Sequence, residues 1–245
     1  MRTLAIDTAT QSLSVALLID GQLIAETTTN TRIQHSTQLL PLIDNLFSTV
    51  KWKPEQLEQI IVTRGPGSYT GLRIGVTAAK TLAQTLNIPL FSVSSLEALL
   101  PQVAFETGKV VLPFINARRQ TVFAGAYRLT ADGYECLLPV RHQRFQDWLD
   151  KVATLDIATD QIELVSPDTH EFKEAIVQQF GEDFFNKQVK LAIIHASDLP
   201  QLQLQAEDVA VFIPEYAKLA EAEENWQSAH PDQAKEAQSY VERTD

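Results

Sequence analysis

Residues Gly65-Pro66-Gly67-Ser68-Tyr69-Thr70-Gly71-Leu72-Arg73-Ile74-Gly75 hold four of the nine glycines in the chain. The apolar run Gln59-Ile60-Ile61-Val62-Thr63 precedes them, and Val76 to Leu86 follows with apolar residues at helical spacing. The order is strand, glycine loop, helix. Gly65 and Gly67 allow backbone angles closed to other residues, and Pro66 fixes its own φ. Ser68 or Thr70 is expected to cap the helix. Gly71, Gly75 and Ala78 fall near one side of it, so another backbone can approach closely. Such a loop can also bind an anion at the helix N-terminus. Yet Gly-x-x-x-x-Gly-Lys-Ser/Thr is absent, and Thr70 stands where Gly-x-Gly-x-x-Gly needs its third glycine. A tight turn with a closely packed helix is the better account.

The 245 residues are 44% hydrophobic, enough for one large domain or two small ones. Cys136 is the only cysteine, which excludes an intrachain disulfide framework and a thiolate zinc cluster. No positively charged leader precedes an apolar core and no apolar run is long enough to span a bilayer, so a reduced cytoplasmic protein with no membrane partner is expected. The formal charge of −11 is uneven: residues 1–127 hold eight Asp/Glu and ten Lys/Arg, residues 128–245 twenty-three and ten. The acidic part would repel nucleic-acid phosphates, so in any work on RNA another subunit should supply most of the contact.

Taken in order, Arg2–Asp7 and Ser12–Ile19 are expected strands, Asp20-Gly21 a hairpin turn and Gln22–Thr28 a third strand. A helix should follow from about Gln34, with Leu39, Ile43, Leu46, Phe47 and Val50 on one face. Leu40 and Leu42 widen that stripe beyond what one sheet needs, so a second contact surface is expected. Ser36 is the candidate cap, and Pro41 should shift the start or kink the helix. The strand at 59–63, the glycine loop and its helix come next, then a strand at 89–93 and a helix capped by Ser94-Ser95 and running to about Val103. The pattern then repeats. Strands are expected at 109–116, 120–129 and 134–138, with Asp132-Gly133 as a second hairpin turn. Helix from Phe145 to Val152, strand 162–166, helix 170–180, strand 189–194, helix 197–206 and a last apolar run at 209–213 complete it. Each half is βββαβαβα, which predicts an α/β protein of two duplicated domains with helix-covered sheets. The expected division is 1–106, 107–213 and a closing segment 214–245.

This duplicated order resembles the actin-like ATPase fold of sugar kinases and heat-shock ATPases. In that fold nucleotide lies between the halves, held by an aspartate hairpin in each and by a later Gly-Gly turn. Here Asp7 is present, but Asp7-Thr8-Ala9-Thr10 has no glycine. The second hairpin has Asn116-Ala117-Arg118, and no two glycines are adjacent. Asp7 is therefore expected to end its strand with a local hydrogen bond rather than to hold magnesium. The glycine loop itself matches the TsaB (YeaZ) family signature almost letter for letter, with Tyr69 where phenylalanine is usual. Leu4–Thr10, His35-Ser36 with Leu39-Leu40-Pro41, Ser94–Leu99, Asn116–Arg119 and Pro214-x-Tyr216 through Glu221-Ala222-Glu223 to Trp226 look like the same family. Ala217 and Lys218 replace its usual Leu and Arg.

The resemblance implies a non-catalytic subunit required by TsaD, a paralogue that transfers a threonylcarbamoyl group to the tRNA adenosine beside the anticodon. It implies a TsaE-like ATPase as a further partner, a homodimer when alone, contact with tRNA only through the complex, and no cofactor of its own. It leaves room for a nucleotide at the partner interface. Family members pair through their first two helices, here residues 34–50 and 69–87. The expected interface residues are Gln38, Leu42, Asn45, Gly71, Ile74, Gly75, Ala78 and Leu82. Other classes have less support. A metallopeptidase needs clustered ligands, and no two of His35, His142, His170, His195 and His230 fall at ligand spacing. A stand-alone ATPase lacks the hairpin glycine, the second aspartate and the Gly-Gly turn. Nucleophilic catalysis has little support, because Cys136 lies in an ordinary expected strand and Ser68 has no identifiable base nearby in sequence. A homodimeric regulatory scaffold would use the same helices. Residues 227–245 are polar and read as a solvated tail.

Overall fold

A computed structural model describes residues 1–31 and 34–216. The part of the expected closing motif from Ala217 to Trp226 and the expected solvated tail at 227–245 lie outside those residues. Two mixed sheets form the frame. In the first, β1 (Arg2–Asp7), β2 (Leu13–Ile19) and β3 (Gln22–Thr29) form a meander, with Asp20 and Gly21 both at positive φ in its first turn. β4 (Gln59–Gly65) and β5 (Leu90–Ser94) then add in parallel beside β1. In the second, β6 (Val110–Asn116), β7 (Thr121–Thr130) and β8 (Gly133–Arg144) repeat the meander. β9 (Ile162–Ser166) and β10 (Val189–Leu191) add in parallel beside β6. The strand orders are β11-β5-β4-β1-β2-β3 and β10-β9-β6-β7-β8, where β11 is Gln205–Glu207. Apart from β11 the two orders are the same, which is the duplication expected of the actin-like fold.

Side chains of the central strands alternate between the two faces of each sheet. Leu4, Ile6, Leu13, Val15, Leu17, Ile60 and Val62 face an outer core under α1 (His35–Val50) and α2 (Tyr69–Leu86). Ala5, Ala16, Leu18 and Ile61 face inward. There they meet Val111, Ile115, Phe123, Tyr127 and Val165 of the second sheet in one continuous core. On the outer face of the second sheet Phe114 packs against Phe145 and Trp148 of α3 (Phe145–Ala153) and against Phe172, in a core also covered by α4 (Lys173–Phe180) and α5 (Glu182–Gln188).

Several elements differ from expectation for local reasons. Gln34, not Ser36, is the N-cap of α1, and it makes no side-chain cap. α1 runs through Pro41 without a break in its helical span. The segment after Ser94-Ser95 is a 3-10 turn, Glu97–Gln102, because Pro101 lacks the amide an α-helix would need. Ala98, Leu99 and Leu100 are all buried in the shared core. The expected helix at 197–206 is a 3-10 turn, Ala196–Gln201, which contains Pro200 and is followed by β11. β11 pairs antiparallel with β5 of the first sheet, and Ser92 Oγ donates to Glu207 Oε1 at 2.5 Å. The chain thus returns to the first half before residue 213. Gly181, at φ +90°, separates α4 from α5, a helix that periodicity missed. The strand begun at Tyr134 extends to Arg144, whereas the one begun at Val189 stops at Leu191.

The glycine loop sits directly on the β1–β2 hairpin. A Cβ at Gly67 would overlap the Ala9 carbonyl oxygen, one at Gly71 the Thr8 carbonyl oxygen, and one at Gly75 the Thr8 hydroxyl. The Ser68 amide donates to the Ala9 carbonyl at 2.7 Å, and Thr8 Oγ1 donates to the Gly71 carbonyl at 2.8 Å. Packing thus accounts for glycine at these positions. An alanine at either helical position gains about 1 kcal/mol of helix propensity and loses roughly 1–3 kcal/mol to overpacking, so both substitutions should destabilise. Thr8→Ala should recover much of the loss in Gly75→Ala, whose Cβ meets a side chain. It should recover little in Gly71→Ala, whose Cβ meets backbone. Urea unfolding of the two double-mutant cycles checks this difference.

Candidate functional site

Two hollows border α2, and both begin at its N-terminus. Ser68 caps the helix as expected, its Oγ accepting from the Gly71 amide at 3.3 Å. α1 lies alongside, and between the two helices runs an apolar groove of about 700 Å³. Its lining is Ser36, Leu39 and Leu40 from α1, and Tyr69, Thr70, Arg73, Ile74, Thr77, Ala78, Thr81 and Leu82 from α2. Leu39 is buried at the floor, while Leu40 is 58% and Tyr69 48% exposed. Two large apolar side chains are thus left exposed along one trough. Arg73 is the one charged residue in the lining. Its guanidinium donates to the Tyr69 hydroxyl at 3.1 Å and lies 5.5 Å from that ring's centroid.

The eight expected interface residues divide into three sets. Ile74, Ala78 and Leu82 line the groove. Gly71 and Gly75 are buried and face Thr8 of the same chain, so their missing side chains serve internal packing. Gln38, Leu42 and Asn45 belong to α1 but lie outside the groove lining; Leu42 packs against the outer core, and Asn45 accepts from Thr49. Leu40 was legible in the over-wide stripe of α1. Tyr69 and Arg73 carried no sequence signal for this role, because their helix is apolar enough to look satisfied by the sheet.

A smaller, more polar hollow of about 430 Å³ continues from the groove past the two helix N-termini. Thr10, Gln11, Gln34, His35, Ser36, Ser68, Thr70, Gly71 and Ile74 line it. His35 Nε2 lies 3.0 Å from the Thr10 carbonyl oxygen and ties α1 to the β1–β2 hairpin.

Asp7 is fully buried at the end of β1. Its Oδ1 accepts from Thr63 Oγ1 at 2.7 Å and from the Ala9 amide at 3.1 Å. The carboxylate's Oδ1 is thus engaged locally, as the sequence suggested, while its buried Oδ2 has no hydrogen-bond partner among the described residues. Desolvation pushes its pKa up to about 6, against the opposing pull of those hydrogen bonds and of His35. In the second half Asn116 Oδ1 accepts from the Arg118 amide at 2.7 Å, while the Asn116 amide donates to Asp168 Oδ2 at 2.9 Å. Among the described residues no three of His, Cys, Asp and Glu gather as a ligand set, and no helix is long and apolar enough to cross a membrane.

A family model described as TsaD, tRNA N6-adenosine threonylcarbamoyltransferase, matches residues 22–237. The tRNA threonylcarbamoyladenosine biosynthesis protein TsaB of Bacillus subtilis is 36% identical over 228 residues, which are 92% of this chain and 98% of that protein. The chain belongs to the TsaB (YeaZ) family. The Escherichia coli TsaB is 35% identical over 134 residues, 54% of this chain and 58% of that one. The solved structure titled YeaZ from Pseudomonas aeruginosa superposes with a TM-score of 0.68 at 23% identity, covering 88% of this chain and 99% of that one. That likeness shows the fold.

The raised pKa of Asp7 has a consequence for stability. The folded state holds the Asp7 proton more tightly than the unfolded chain between the ordinary value of 3.8 and about 6. The Asp7 contribution to stability is therefore greatest at acid pH and falls as pH rises through that window. Asp7→Asn keeps the acceptor for Thr63 and Ala9 and removes the titration. Its melting temperature relative to the parent should rise between pH 4 and pH 7, by an amount on the order of 2 kcal/mol or a few degrees. Paired thermal melts across that range test it; a constant difference would mean that Asp7 ionises normally in the fold.

Proposed function

We propose that this chain is a non-catalytic, activating subunit for a TsaD-like transferase in the threonylcarbamoylation of the tRNA adenosine beside the anticodon. The carrying observation is the α1–α2 groove, with Leu40 and Tyr69 exposed along it. A helix pair from a paralogous partner would complete it as a four-helix interface, with large side chains such as Leu40 inserting across the seam. The match to a family model named for TsaD supports a partner of related build. A TsaE-like ATPase would join the assembled pair, and tRNA would be contacted through the complex. In isolation the same groove would pair two copies of the chain.

In this proposal the chain supplies no catalytic group, metal or nucleotide site of its own. Asp7 Oδ1 already serves Thr63 and Ala9, and Asn116 Oδ1 accepts from the Arg118 amide in its own turn. Any nucleotide would be shared with the partner, at the polar hollow beside Thr10 and His35.

The test is incorporation of labelled threonine into tRNA with the partner transferase, the adenylate-forming enzyme and ATP. Omitting this chain should abolish incorporation, and isothermal titration of the isolated chain with ATP should show no heat of binding. Ala78→Glu places a charge at the groove floor. It should lower incorporation at least tenfold and remove the complex from gel filtration, while leaving the melting temperature within a few degrees of the parent. Undiminished incorporation without the chain would leave a homodimeric scaffold as the better account.

A further inference from the structure

The last described residues form a strap that ends at the mouth of the groove. Phe212 is buried in the outer core, and its carbonyl accepts from Lys80 Nζ of α2 at 2.5 Å. The Glu215 amide donates to the Arg64 carbonyl at 2.8 Å, and Glu215 Oε2 accepts from Arg64 Nε at 3.2 Å. Tyr216 then lays its ring 4.7 Å from that of Tyr69, a groove-lining residue. Tyr216, the last described residue, thus lies at the N-terminal end of the groove.

Twenty-nine residues follow Tyr216. The groove side of α2 from Tyr69 to Leu82 is about 20 Å long, at 1.5 Å per helical residue. A dozen or so residues are enough to cover it. The first ten of the segment place Leu219, Ala222 and Trp226 at i, i+3 and i+7, the spacing of one apolar helical face. They carry one lysine, Lys218, against three glutamates, Glu221, Glu223 and Glu224, whereas the charged residue of the groove is the cation Arg73.

We propose that residues 217–229 of the chain dock in cis into its own α1–α2 groove, with Leu219, Ala222 and Trp226 against Ile74, Ala78 and Leu82, and compete there with a protein partner. Tethering at Tyr216 holds the segment at an effective concentration on the order of millimolar, so even weak docking leaves the groove covered at low protein concentration. A partner must displace it, which sets the apparent affinity below the intrinsic one. The competition rests on the groove's being the partner's face, as proposed above; the docking does not.

Hydrogen exchange on the dilute full chain, read by mass spectrometry, tests the docking without any partner. Amides of 217–229 should exchange at least tenfold more slowly than in the synthetic peptide 217–245. Ala78→Glu should release them, while β1 and β4 stay protected as the check that the fold is intact. The reciprocal full-chain variant, Leu219→Ser with Trp226→Ser, should release them as well and should lower the concentration for half-maximal binding of the partner transferase about tenfold. Exchange at the free-peptide rate in the parent would overturn the proposal. So would protection that appears only as concentration rises, which would assign the groove to the tail of a second copy. Protection with no change in partner binding would refute the competition, whatever the outcome of the threonine-incorporation assay.

Discussion

The structure depends on one close approach. α2 and the loop before it rest on the backbone of Thr8 and Ala9, with nothing but hydrogen at Gly67, Gly71 and Gly75 to separate them. Hydrogen bonds from the Ser68 amide and Thr8 Oγ1 hold the contact at fixed register. Because Thr8 and Ala9 directly follow β1, the helix is set at one height over the sheet. Glycines that look like an anion loop are spent on bringing two backbones together.

That height has a cost on the other side of the helix. With α2 pressed to the hairpin, Ile74, Ala78 and Leu82 stand beside α1 without filling the space between. Leu40 and Tyr69 are left substantially exposed. Leaving a large apolar side chain in water forgoes about 1.5–3 kcal/mol relative to full burial, so the exposed pair is a standing stabilisation for whatever covers it. One stripe of α2 thus does two tasks: its first two turns meet Thr8, and its later turns open to the groove.

The two halves are less separate than their duplicated order suggests. One core spans both sheets, and the Ala196 and Ser197 amides reach back to Ser14 and Glu26 of the first half at 2.9 and 3.0 Å. β11 extends the first sheet, and Phe212 enters its outer core. The closing stretch of chain therefore belongs physically to the half that carries the groove, which is how Tyr216 comes to lie on Tyr69.

Much of this was legible in the sequence by itself. Period-two alternation placed the strands, Asp20-Gly21 placed the first hairpin and Asp132-Gly133 the second to within one residue, its turn being Ala131-Asp132; the repeat of that order determined the duplicated α/β plan, because these signals act between near neighbours in the chain. The glycine loop also determined that something must approach α2 closely. Only the tertiary structure decided what approaches. Gly71 and Gly75 are committed to Thr8, more than sixty residues away in sequence, while Ile74, Ala78 and Leu82 on the same helix remain available. Periodicity reports that a face is apolar, not whether its own sheet, its own hairpin or open space lies opposite. The turn at 196–201 and strand β11 were missed for a related reason: proline stopped the helix, and the unpaired edge of β5, distant in sequence, recruited what followed.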